Sequence, residues 1–153
     1  MRQFYDILEK IRNSVSANGI TQSITSGDLT EIDLDKTTMF PLCHIIVGDV
    51  SFEERIINFD LRIMFLDVVD VQKSLTGEDI FYGNDNLQDV LNTQLQCANL
   101  LQSQLRRGNL KDDFEIQGTP TASILRQNFE NDLAGWGLEI SLSMFNNELS
   151  ICG

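Results

Sequence analysis

Phe4, Ile7, Leu8, Ile11 and Val15 recur every three or four positions, which puts them on one side of a helix over residues 3–17. Gly19 stands where that helix can close in a left-handed cap. A short strand is predicted around Ser23-Ile24-Thr25, followed by a polar, acidic connection over residues 26–40. Within it Ile32 and Leu34 alternate with acids, so part of it is expected to be extended. Pro41 disfavours helical backbone at Phe40 and marks a boundary.

Two long strands are predicted next, Leu42 to Phe52 and Arg55 to Val69. In the second, Ile57, Phe59, Leu61, Ile63 and Phe65 alternate with Asn58, Asp60 and Arg62, a period of two that predicts one buried sheet face. Residues 70–86 read as an exposed loop. A second helix spans 87–107, with Leu87, Val90, Leu91, Leu95, Ala98, Leu101 and Leu105 as its apolar stripe. Asp85 or Asn86 is placed to cap its start, Gly108 to end it, and Arg106 and Arg107 suit the negative end of its dipole. A short strand at Phe114-Glu115-Ile116 is expected to break at Gly118-Thr119-Pro120, leaving 121–135 irregular or a helical turn. The last strand runs from Trp136 to Phe145, with Trp136, Leu138, Ile140, Leu142 and Met144 on its core side. The order α-β-β-β-α-β-β, with mostly hairpin connections, predicts an α+β fold: a mainly antiparallel sheet packed against two helices, one domain over residues 1–153.

Composition narrows the class. With 153 residues and 42% hydrophobic side chains the chain can bury one core. No apolar run approaches the roughly 20 residues that cross a bilayer, and the N-terminus lacks the apolar block of a signal peptide, so no membrane partner is expected and synthesis in a cytoplasm is. Cys43, Cys97 and Cys152 are odd in number and far apart, as expected of reduced structural thiols. The net charge is −12, and only Arg106 and Arg107, with Lys111 close by, gather positive charge. Specific nucleic-acid binding is therefore not expected, although an acidic surface can sit beside DNA without holding it.

Candidate chemistry is sparse. His44 adjoins Cys43, but neighbours on a strand point to opposite faces, so core packing is expected and not a thiol–imidazole pair. Three dispersed cysteines and one histidine do not make a zinc site. Asp28, Glu31, Asp33 and Asp35 supply oxygen ligands for calcium without the spacing of a helix–loop–helix site, and a solvated connection is the expected reading. Gly135-Trp136-Gly137 leads into a strand, whereas phosphate-binding glycine loops lead into a helix. No catalytic residues, no metal and no cofactor are expected. The leucine stripe of 87–107 can cover the sheet or meet a partner helix; covering the sheet is the expected role.

Three segments carry a resemblance. They are Phe40-Pro41-Leu42, Asp89 to Leu95 with Leu105-Arg106-Arg107-Gly108, and Phe129 to Trp136. Together with the element order, they resemble the tail-terminator and tail-completion (neck ring) proteins of tailed phages, and are similar to those of Bacteroidetes phages and prophages, including crAss-like phages. The resemblance implies a structural virion protein that forms a homo-oligomeric ring at the neck or the head-proximal end of the tail. Such rings are usually sixfold in long-tailed phages, and neck rings can be twelvefold in crAss-like virions. It implies portal, neck or tail proteins as partners, and genomic DNA passing through the lumen without specific binding. The alternative is a cytoplasmic assembly factor or adaptor of the same fold that is not retained in the particle. Within the loop over 70–86, Leu75, Ile80, Phe81 and Tyr82 are the candidate arm that contacts a neighbouring subunit.

Overall fold

The computed structural model describes residues 3–27, 40–69, 87–107, 114–128 and 132–145. Its elements follow the expected order: α1 (Gln3–Ser16), β1 (Ser23–Ser26), β2 (Leu42–Phe52), β3 (Ile56–Val68), α2 (Leu87–Arg107), β4 (Glu115–Asn128) and β5 (Asp132–Phe145). The loop over 70–86 with its four arm residues, the caps of α2 and the acids at 28–35 lie outside the described residues.

The alternation in β3 sets the layout. Its odd-numbered residues Ile57, Phe59, Leu61, Ile63 and Phe65 are buried on one face, where both helices pack. Cys43 and Ile45 of β2 and Leu138, Ile140 and Leu142 of β5 continue that surface. Ile7, Ile11 and Val15 of α1, with Cys97, Ala98, Leu101 and Leu105 of α2, cover it. Each large side chain buried here contributes about 1.5–3 kcal/mol. The helices are tied to each other by a hydrogen bond between the side chains of Ser14 and Gln104. Beyond α1, Gly19 takes the expected left-handed backbone (φ 75°), and Asn18 Oδ1 accepts the backbone N–H groups of Ile20 and Thr21.

The five-stranded sheet has the order β1-β2-β3-β5-β4 and is antiparallel except at its edge, where β1 pairs parallel with β2. The sheet is thus mixed and mostly antiparallel. The long connection between β1 and β2 permits this, since a parallel pair needs a crossover and cannot be joined by a tight turn.

Three expectations are corrected. Residues 114–128 do not break at Gly118-Thr119-Pro120: β4 runs through them, absorbing the irregularity as a bulge with Gly118 at φ 71°. Of the stretch expected to be irregular, residues 121–128 form the second half of β4 and 132–135 the start of β5, paired from Thr121↔Glu139 to Asn128↔Asp132. On α2, Leu95 is 41% exposed and Gln94 is fully buried in its place. At 3.6 residues per turn Gln94 lies at the middle of the arc holding Val90, Cys97, Ala98 and Leu101, and Leu95 lies about 100° further round.

Trp136 is half-buried at the margin of the core, between Ala134 and Leu138 on the helix side of β5. Its indole Nε1 donates to the Leu91 carbonyl oxygen at 2.8 Å, pinning the first half of α2 to the sheet. Beside it Gly135 cannot be replaced without moving a strand: a Cβ there would fall 1.7 Å from the Phe65 carbonyl oxygen.

Trp136→Phe is expected to cost about 1 kcal/mol through the lost hydrogen bond, and Trp136→Ala about 3 kcal/mol as packing is lost as well. Urea denaturation measures both; a Trp136→Phe variant as stable as the wild type would remove the hydrogen bond from the account.

Candidate functional site

The helix-free face of the sheet is divided into two unlike halves. Near the start of β5, Leu42, Met64, Leu66 and Leu133 are buried with Phe40 in a second apolar cluster, flanked by Ile46, Val68 and Leu125. The continuous run Ile63-Met64-Phe65-Leu66 accounts for it: a strand apolar on both sides is buried on both sides. Towards the β2–β3 turn the same face becomes polar, through Asn58, Asp60 and Arg62 on β3 and Glu139, Ser141 and Ser143 on β5.

This polar half is bent by two bulges on adjacent rows. β2 slips register between Val47 and Val50, setting Gly48 and Asp49 against Asp60. β4 slips between Gln117 and Thr121, setting Gly118, Thr119 and Pro120 against Ile140. Asp60 pairs with Ser141 and Leu61 with Ile140, so the two slips fall on adjacent rows of the sheet. Bulges bend and twist the strand that carries them. Between the two lies an open depression of about 580 Å³, lined by Asp49, Asp60, Arg62, Thr119, Thr121 and Glu139 among others.

Its chemistry is that of carboxylates and hydroxyls. Ser141 Oγ donates to Asp60 Oδ1 at 2.7 Å, and a Ser143–Asn58 hydrogen bond repeats the link one pair further along. Among the described residues Arg62 is the single cation in the lining, and it leans over Gly137, where an added Cβ would lie 3.2 Å from its Nε. Among the described residues, no three His, Cys, Asp or Glu side chains come together in a way that could hold a metal ion, and no helix is long and apolar enough to cross a membrane. No protein-family model matches the chain, and no curated protein matches it in sequence.

Cys43 and His44 diverge as expected. Cys43 enters the helix-side core near Cys97, and His44 is buried on the other face. His44 Nε2 donates to the Gly27 carbonyl oxygen at 2.9 Å, and Nδ1 shares a 2.7 Å hydrogen bond with Thr25 Oγ1, which joins β1 to β2. Burial pushes the Cys43 thiol far above its ordinary range, with Cys97 adding to the shift, and burial raises Cys97 too. A thiol held up in this way is a poor nucleophile at neutral pH.

Sequence reasoning missed the depression, because two bulges far apart in the chain meet only once β3 and β5 pair. Glycines within strand patterns, Gly48 and Gly118, were the available signal. It also missed Gln94, whose side-chain nitrogen and oxygen are both buried without a hydrogen-bond partner among the described residues.

Two outcomes follow. Gln94→Met is expected to raise stability by about 1–3 kcal/mol, since it removes a buried polar group and keeps its length; a lower urea midpoint would contradict this. Iodoacetamide is expected to spare Cys43 and Cys97 in the native protein and label both after denaturation, as read by peptide mass mapping. With native thiol pKa values raised, their contribution is fully present below the ordinary thiol value of about 8.5 and is lost as pH rises above it, because the unfolded chain ionises first.

Proposed function

We propose that this protein is a structural subunit of a tailed-phage virion that closes into a ring at the neck or the head-proximal end of the tail. The observation that carries the reading is the end of the sheet formed by the β2–β3 turn and the last residue of β5. There Phe52 is 68% exposed and Phe145 is 74% exposed. Phe52 pairs with Ile57 and stands on the helix side, whereas Phe145 pairs with Ile56 and stands on the open side. Both leave apolar surface at this sheet end that a partner can cover. Two such side chains on opposite sides of one sheet end suit a head-to-tail contact, in which different surfaces of successive copies meet and a closing rotation gives a ring.

The polar half of the open face supports the same reading. Asp49, Asp60, Glu115 and Glu139 outnumber Arg62 on it. A wall of that charge lets DNA slide past without adhering. The arm over 70–86, with Leu75, Ile80, Phe81 and Tyr82, is part of the proposal as a contact to the neighbouring subunit or ring.

Association of so acidic a chain works against like-charge repulsion, which salt screens within about 8 Å at physiological ionic strength. The purified protein is expected to be a monomer or weak oligomer at low salt and to form rings at higher salt, at higher concentration, or on a portal or tail template. EDTA and dithiothreitol are expected to have no effect. Sedimentation with each condition varied singly, and electron microscopy of the largest species, test this. Absence of rings under every condition, template included, would overturn the reading. Dissociation by EDTA would instead assign a cation to the acids at 28–35. Mass spectrometry of purified particles separates a retained subunit from an assembly factor that leaves.

A further inference from the structure

β4 is an edge strand: among the described residues it pairs with β5 along one side, and its other side has no strand against it. Natural edges of this length carry devices that discourage a second strand, such as bulges, prolines and charges. β4 keeps its devices in one half, where the bulge at 118–120 includes Pro120. The other half, residues 121–128, holds an unbroken register with β5. It contains no proline, glycine or carboxylate, and its one charge is Arg126. In a chain with 23 acidic residues, this is a backbone edge that a second copy can approach without meeting a carboxylate. Ile124, at its middle, is 59% exposed.

We propose that residues 121–127 pair antiparallel with the same residues of a second copy, about a two-fold axis at Ile124. Directly opposed residues of an antiparallel pair share a face, so the axis must pass through a residue if the helix layers are to stay on one side. An axis at Ile124 sets Ile124 against Ile124, Ser123 against Leu125, and Ala122 against Arg126. The exposed isoleucines cover each other, and no like charges meet. An axis at Leu125 would put Ile124 opposite Arg126, and one at Ser123 would put Arg126 opposite Pro120. Backbone hydrogen bonds supply the affinity, as in other strand additions, and the isoleucine pair fixes the register. This contact does not rest on the ring reading. It closes on itself after two copies, whereas a ring needs a head-to-tail contact, so the two can coexist as paired rings.

Sedimentation of the wild type, Ile124→Lys, Ile124→Glu and an equimolar mixture of the two variants tests the proposal. Circular dichroism is expected to be unchanged, because the side chain is exposed. Each variant alone is expected to need about tenfold more protein to reach half-dimer, equivalent to about 1.4 kcal/mol. The mixture is expected to return to the wild-type range, since lysine then faces glutamate. A wild type that stays monomeric up to about millimolar concentration, variants that associate as the wild type does, or a mixture that fails to recover would each overturn the proposal. Rings that form in all samples, with no pairing of copies or of rings that changes with position 124, would overturn it and leave the ring reading standing. A dimer that depends on position 124, with no larger species at high salt, at high concentration or on a portal or tail template, would uphold it and remove the ring.

Discussion

The pairing of β3 with β5 is the constraint on which the rest of the molecule depends. Every residue of β3 has a partner on β5, from Ile56↔Phe145 to Val68↔Leu133, without a bulge. The ladder places both apolar faces of β3 at once: odd positions against the helices, and Met64 and Leu66 against the second cluster. It also joins segments far apart in the chain, with α2 and β4 between them. Loop closure must therefore be paid for before the core can form, and such non-local pairings fold slowly.

Irregularity is confined to the strands on either side of that ladder. β2 and β4 each slip register once, on adjacent rows, while the two strands between them remain regular. The sheet can thus bend without losing its central hydrogen bonds, and the bend falls where its open face changes from apolar to polar. The two halves of that face then serve different ends. One is sealed by Leu42, Leu66 and Leu133, and the other presents carboxylates and hydroxyls to water.

The parts of the fold legible in the sequence were those whose periodicity was governed by burial. α1, β2, β3 and α2 follow from Ile7-Ile11-Val15, the alternation over 57–65 and the stripe over 87–105, each set by one buried face. β4 was not legible, because Gly118-Thr119-Pro120 has the composition of a turn and an edge strand carries little apolar alternation. Gln94 was passed over because residue type favoured Leu95, whereas helix geometry decides which position faces the sheet. Of the candidate site, only the divergence of Cys43 and His44 to opposite faces of the sheet could be read ahead. The depression depends on tertiary register, and the arm lies outside the described residues.

Gly135 carries a consequence of a different kind. Its Cα lies so near the Phe65 carbonyl that any side chain would push apart the two strands on which the core is built. Surface charges, bulge composition and even individual core residues can drift as long as volume and pattern are kept. A glycine at this crossing cannot drift while the ladder remains as it is. In divergent descendants that have lost overall similarity, a glycine followed by tryptophan at the head of the last strand would be the mark by which to align them.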